Sequence, residues 1–368
     1  GNGILVRAAG NKNEDARTRF IPEDELIIKG LSGTRERPSI DFRGEEALLS
    51  AVIGLIEGEP HKIYCIGAKG SASGRDLTPD LSALAEIGHK QNITVAELNL
   101  AELETIPADA AGLVFTGIKY DLAERELEMI KEYWSRKRSS ILVLLDPNSE
   151  VPRLRSFLTA NGIIPRHDRV LYAESTSAGP RKQFSVEGRF LEGSPASKPF
   201  TETTTRLAGQ TQSLDLRGDT NELRAQHIVI TPLIDAAERY WGETQYLDPL
   251  PMIGGDDTMP PLHIAASVER GFVADERLRV DSARMIVVGN ATQLDPKTRL
   301  AVDYDFISSS LNWMLNRERL TGTPPKQKRI FRLQLTEAQH QHIFRVTALM
   351  MPGIALAIGL LIWSHRRA

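Results

Sequence analysis

The sequence predicts an α/β protein built on an open, mostly parallel, doubly wound sheet, followed by one C-terminal transmembrane helix. Three observations lead there. Short apolar runs alternate with amphipathic stretches between residues 43 and 160, the order expected of strand and crossover helix. One of those runs, SSILVLLD at 139–146, is apolar on both faces, as a central parallel strand is. The chain then ends on VTALMMPGIALAIGLLIW, 18 residues without a charge from Val346 to Trp363. As a helix that run reaches about 27 Å, against a hydrocarbon core of about 30 Å.

Residues 1–40 read as a polar entry segment in which only ELIIKG is strand-like. From 43 to 57, Ala47, Leu48, Ala51, Val52 and Leu55 recur at helical spacing and predict one buried stripe. KIYCIG (62–67) reads as a strand, and Thr78 with Pro79 opens a helix carrying Leu81, Leu84 and Ile87. ITVAEL (93–98) and GLVFTG (112–117) are strand-like. Asp121 with Glu124 is the expected cap of a helix reaching Arg138, whose apolar side is Leu127, Ile130, Tyr133 and Trp134. A short helix at 151–160 follows the 139–146 strand. Residues 175–225, rich in Ser, Thr, Gly and Pro, predict an irregular excursion. HIVITP (227–232), LHIAASVE (262–269) and RMIVVGN (284–290) are expected to complete the same sheet, before a helix over 303–317.

The domain so defined runs from 41 to 320, with a linker and juxtamembrane piece at 321–345, the span at 346–363 and a basic tail at 364–368. Pro352 predicts a kink in the span, and Pro352, Gly353, Ala357 and Gly359 a face for helix packing. Arg366 and Arg367 put the tail in the cytoplasm and the main domain outside. The start at Gly1 leads us to expect that an N-terminal signal or membrane helix precedes this sequence.

With Lys plus Arg at 45 against 48 for Asp plus Glu, no whole-chain field draws a nucleic acid. The lone cysteine, Cys65, lies in an apolar run and reads as a small buried hydrophobe. Candidate ligand-binding residues are Gly67, Lys69, Gly70 and Ser71, in the loop GAKGSASG after the first strong strand. There, backbone N–H groups are placed to hold a phosphate. Neither GxxxxGK[ST] nor GxGxxG is present, so a plain strand-end loop is the competing reading. Asp146, at the end of the central strand, is a ligand or base by position and a turn cap by frequency. Asn290 ends the last strand in the same way. Asp256 with Asp257 lacks the ligand run of a calcium loop, and the eight histidines form no zinc spacing. No catalytic constellation, metal site or cofactor is expected.

The succession KIYCIGAKGS, then ELNLAELETIPADAAGLVFTGIKYDLAERELEMIKEYW, then ILVLLDP resembles GldG-like auxiliary components of ABC transporters. The family's "IP.DA" falls on Ile106, Pro107, Asp109 and Ala110, its "L...E...I..Y" on Leu122, Glu126, Ile130 and Tyr133, and its Asp-Pro on Asp146 and Pro147. RMIVVGNATQLDP with DYDFISSSLNWMLNRE is similar to the family's last strand and its helix, with Asn312 and Trp313 in place. Asn290 stands where the family usually carries an acid, and GAKGSASG lacks its His-Gly-Glu-like pattern. The resemblance implies a flavodoxin or class I glutamine amidotransferase-like sheet without catalytic residues, in a gliding-motility or export system. It implies a bacterial inner-membrane protein, extracytoplasmic apart from its tail and oligomeric or in complex. Its expected partners are an ABC permease, an ATPase and the bilayer through 346–363. The alternative from another class is a ligand-binding, nucleotide-binding or hydrolytic domain using the loops at the sheet's carboxyl edge.

Overall fold

Apolar residues that alternate between two faces of a strand can bury both only if helices cover both, and this chain is arranged that way. A computed structural model describes residues 2–7, 18–30, 39–42, 44–67, 69, 78–176, 179–218, 220–249, 253–271, 282–295, 297–298 and 300–317, with 352–353, 358–359, 362–363 and 366. The chain divides into two units, Gly1–Pro325 and Lys326–Ala368.

In the first unit two hairpins come first: β1 (Gly3–Arg7) with β2 (Thr18–Pro22), then, after α1 (Glu23–Leu26), β3 (Ile27–Gly30) with β4 (Ser39–Phe42). The entry segment is therefore more regular than expected, and Ile21 and Leu26 pack with Ala51 of α2 (Gly44–Glu57). The parallel part follows as β5 (His61–Ile66), α3 (Thr78–Lys90), β6 (Ile93–Leu98), β7 (Ala110–Thr116), α4 (Glu124–Ser135), β8 (Ser140–Leu144) and α5 (Pro152–Ala160). Next come β9 (Ile163–Pro165), β10 (Arg169–Thr176), β11 (Gly179–Gln183), β12 (Val186–Phe190), β13 (Thr204–Leu207) and β14 (Leu214–Leu216). The unit closes with α6 (Asn221–Ala225), β15 (Ile228–Ala236), β16 (Trp241–Glu243), β17 (His263–Arg270), β18 (Ala283–Val288) and α7 (Ala301–Met314).

Eleven strands form one sheet in the order β13-β12-β15-β17-β18-β8-β7-β5-β6, with β14 and β9 joined through β17, while β11-β10-β16 form a separate sheet. This corrects the mostly parallel sheet expected. Four pairings of the large sheet are parallel and six antiparallel, so it is mixed and largely antiparallel. The reason is in the connections. A parallel neighbour needs a crossover of a dozen or more residues, usually helical, and among the described residues only β16 lies between β15 and β17, which pair antiparallel from Ile228↔Arg270 onward.

Ile63 and Cys65 of β5, Val114 of β7, Leu142 and Leu144 of β8 and Ile286 and Val288 of β18 face α3 and α7. Tyr64 and Ile66, Leu113 and Phe115, Ile141 and Val143, and Met285 and Val287 enter the other core with α4 and α5. Each fully buried Leu or Ile contributes about 1.5–3 kcal/mol relative to exposure. Beyond α7, Arg317 grips Glu57 through Nε and Nη2, both at 2.6 Å, tying the end of α2 to the residues that follow α7.

In the second unit, Pro352, Gly353, Ile358, Gly359, Ile362, Trp363 and Arg366 are helical and exposed; Ala357 and most of the 346–363 run lie outside the described residues. Among the described residues no helix is long and apolar enough to cross a membrane. The C-terminal span and the inner-membrane location built on it are corrected accordingly. Eighteen apolar residues sit at the short end of what a span needs, and Pro352 withdraws a hydrogen bond inside them.

Candidate functional site

The parallel strands β5, β7, β8 and β18 bring four loops to one carboxyl edge, where open α/β sheets hold ligands. Gly67 follows β5 and donates its N–H to Leu98 O at 2.8 Å; a Cβ there would meet the exposed Glu97 side chain, 2.0 Å from its Oε1, and would displace it. Lys69 is committed inward. Its Nζ stands 2.5 Å from Glu126 Oε2, with side chains 15% and 4% exposed, and its carbonyl accepts from Lys119 N and Tyr120 N. Gly70 and Ser71 lie outside the described residues. Glu126 also accepts from Ala123 N at 2.6 Å and so caps α4, the role expected of Asp121. Asp121 instead accepts from Arg153 N and Leu154 N and caps α5.

Asp146 accepts from Asn148 N at 2.7 Å, the turn-capping role. A Cβ on Gly117, where φ is +55°, would meet Ala291 Cβ at 2.6 Å and Asp146 Cβ at 3.6 Å, so the loops after β7, β8 and β18 touch. Asn290 is fully buried; its Nδ2 donates to Ala208 O, Gln210 O and Thr211 Oγ1 at 2.9–3.2 Å, and its Oδ1 accepts from Thr292 N and Oγ1. A carboxylate has no proton for those three acceptors, which accounts for asparagine where the resembled family usually has an acid.

The acceptors of Asn290 Nδ2 belong to a segment, 208–213, that packs over the end of β18. Gln212 N donates to Gly289 O at 2.8 Å, and a Cβ on Gly289 would lie 2.1 Å from Gln212 O. Ser213 N and Oγ donate to Asp168, and Val170 N donates to Thr211 O. Arg155 reaches Gln212 Oε1 at 2.8 Å, while Arg169 reaches Gln210 Oε1 at 2.8 Å and Pro147 O at 2.7 Å and lies over the Tyr246 ring. Burial lowers both guanidinium pKa values from the ordinary arginine value. Ser149 Oγ, Arg155 Nε and Gln212 Nε2 are buried without a partner among the described residues.

None of this network was legible as a site in the sequence. Nor was the contact of His263 Nδ1 with Asp235 Oδ1 at 2.6 Å, formed where β15 and β17 shift register. Such a pair orients an imidazole for proton transfer, yet among the described residues no hydroxyl or thiol is hydrogen-bonded to His263. Cys65 is fully buried, and burial pushes its thiol up to about 12. Among the described residues no cluster of three His, Cys, Asp or Glu is placed to hold a metal ion.

Two surface hollows lie elsewhere. One, about 320 Å³, is lined by Arg136, Lys137, Gln226 and Arg270 beside the start of β18. The other, about 400 Å³, runs along β13 between Tyr172, Glu187, Arg206, Arg239, Tyr240 and Leu300. In it Arg239 lies 4.7 Å from the Tyr172 ring and 5.2 Å from the Tyr240 ring, and donates to Glu187 Oε2 at 2.8 Å. The two rings meet edge to face at 5.1 Å, and Tyr240 Oη donates to Ser185 O at 3.0 Å. Neither hollow includes Gly67, Lys69, Asp146 or Asn290.

No family model matches the chain, and no curated protein matches it. Among solved structures it is similar to the mmIFT52 N-terminal domain at 12% identity and a TM-score of 0.45, covering 69% of this chain and 96% of that one. It is similar to a ThuA-like protein from Bacteroides uniformis at 8% identity and 0.38, covering 70% and 92%. It is also similar to the exo-β-1,4-mannosidase Op5Man5 from an Opitutaceae bacterium at 12% and 0.32, covering 75% of this chain and 36% of that one. Likenesses this distant carry no argument about function.

Proposed function

We propose that this chain is a non-catalytic binding domain that docks a protein partner, with an ABC transporter permease and its ATPase, the partners the motif resemblance implies, first in line. The observation that supports the reading is the closed carboxyl edge. Among the described residues, the 208–213 segment is bonded over the end of β18, where α/β enzymes keep a polar cleft, Lys69 and Asn290 are held in internal bonds, and Asp146 caps its own turn. Affinity capture of the tagged chain from an extract of its source cells, with crosslinking and mass spectrometry, tests it. Permease and ATPase peptides crosslinked to residues of the first unit support the reading, and a small molecule retained with no protein overturns it.

A second reading, a small oxyanion ligand at the same edge, is favoured by the unpartnered Ser149 Oγ, Arg155 Nε and Gln212 Nε2 beside two buried guanidiniums. Its test is a phosphate and sulfate titration of the wild-type chain and of Arg155→Met, read by melting temperature. A stabilisation that saturates in the wild type and is absent in the variant supports an oxyanion site; no saturable shift removes it.

A further inference from the structure

Backbone direction at the end of the large sheet distinguishes β13 from the strands inside it. In β12, Glu187 O accepts from Ala237 N and Leu191 N donates to Leu233 O, so the odd-numbered residues turn their backbone groups toward β15. Glu187 N, pointing the same way, donates to Tyr240 Oη at 3.0 Å. Antiparallel partners alternate between hydrogen-bonded and non-hydrogen-bonded pairs. Across β12 and β13 it is therefore Val186↔Leu207 and Gly188↔Thr205 that exchange hydrogen bonds. Arg206, opposite Glu187, turns its N–H and C=O outward, and no backbone partner among the described residues takes them. β13 is the terminal strand of the sheet, and its Thr204, Thr205 and Arg206 help line the 400 Å³ groove.

The side chains of this edge carry unspent positive charge. Arg206 is exposed, and its Nε donates to Ser185 Oγ at 2.9 Å. The acid directly across the ladder, Glu187, is taken by Arg239 at 2.8 Å. Two arginines thus face one carboxylate, and the Arg206 Nη atoms have no carboxylate among the described residues. Beside them stand the Tyr172 ring and Leu300, an apolar side chain 42% exposed. Recognition by strand addition takes outward main-chain groups for affinity and seats for alternate side chains for specificity; Arg206 offers the first, and its guanidinium and the apolar surface beside it offer the second.

We propose that an extended, acidic segment of the protein partner adds to β13 as a further strand. Its backbone bonds the N–H and C=O of Arg206, a carboxylate pairs with the Arg206 guanidinium, and an apolar side chain rests between Tyr172 and Leu300. This rests on the binding-domain reading and names the surface and the kind of segment it takes.

The probe is a fluorescein-labelled ten-residue peptide of alternating valine and glutamate, titrated against the full chain by anisotropy. Controls are a valine–lysine peptide and the valine–glutamate peptide N-methylated on alternate residues, which removes backbone donors. The expected result is saturable binding of the acidic peptide, at least tenfold weaker binding of both controls, and slowed hydrogen exchange at β13 on saturation. Arg206→Glu lowers affinity at least tenfold by charge. Arg206→Pro does so by removing an outward N–H that no ladder bond uses, and proline is tolerated on edge strands; Arg206→Lys retains most of the binding. The proposal is overturned if the lysine or N-methylated peptide binds as tightly, if Arg206→Glu binds normally, or if the acidic peptide does not bind. Capture of the natural partner by Arg206→Glu at the wild-type level also overturns it while leaving the binding-domain reading in place. Failure of the wild-type chain to retain any protein strikes that reading instead, and the peptide titration still decides the role of β13.

Discussion

Replacing Gly289 by alanine probes the closed edge with a single methyl group. The new Cβ would stand 2.1 Å from Gln212 O and 3.1 Å from Gln212 C, against backbone rather than a flexible side-chain end. The segment must shift by nearly an ångström, and the bond from Gln212 N to Gly289 O, 2.8 Å in the wild type, lies in the path of that shift. Overpacking of this kind costs about 1–3 kcal/mol and a lost backbone hydrogen bond about 1 kcal/mol more. The expected destabilisation is therefore about 2–4 kcal/mol. Gly218→Ala is the matched control, because a Cβ there meets nothing within 4 Å, and its effect stays within about 0.5 kcal/mol. Urea unfolding followed by Trp fluorescence reads both variants, with the slope checked for constancy. If Gly289→Ala unfolds within about 0.5 kcal/mol of the wild type, the segment does not rest on β18 as described.

Lys69→Met leaves Glu126, 4% exposed, without its cation and costs about 3 kcal/mol. Adding Glu126→Gln restores more than half of that in urea unfolding, since glutamine still accepts from Ala123 N; additive losses would mean the pair does not interact. Burial raises the Asp303 carboxyl above its ordinary value, against the bonds it accepts from Thr205 Oγ1 and Leu300 N. The folded chain then holds that proton more tightly than the unfolded one. Stability falls as pH rises from the ordinary carboxylate range through the raised folded value, and this contribution is level above it. Asp303→Asn removes that part of the slope, and an unchanged pH profile would show that Asp303 does not carry it. Asp146→Asn keeps the oxygen that accepts from Asn148 N, so stability changes by less than about 1 kcal/mol and partner capture is unaffected; lost capture with the fold intact would make Asp146 a binding residue.

Local structure was plain in the sequence wherever one segment settles it. Leu127, Ile130, Tyr133 and Trp134 recur at helical spacing and are all buried under α4, and the doubly apolar 139–146 run is β8 at the centre of the sheet. Strand direction was not, because burial on two faces looks the same in either sense. The missing helix between β15 and β17 held the information, and GILVR at 3–7 held it for the first hairpin. The site was least visible. Lys69 meets Glu126 and Asn290 meets Ala208 across more than fifty residues, and no spacing rule reaches that far. The glycines were the nearest thing to a signal. Gly117 and Gly289 follow β7 and β18, where glycine reads equally as a ligand cradle or as room for the chain itself, and the neighbours at 2.1–2.6 Å decide for the second.

Hydrogen–deuterium exchange of the wild-type chain, resolved at residues 208–213 and 289–290, tests the central claim most directly. A carboxyl edge closed by its own chain predicts that the amides of Gln212 and Ser213, bonded to Gly289 O and Asp168 Oδ1, exchange as slowly as those of β18. Exchange of these amides at the rate of an exposed loop, slowed only when phosphate or another small molecule is added, would mean that the edge opens to a ligand and that the binding-domain account is wrong.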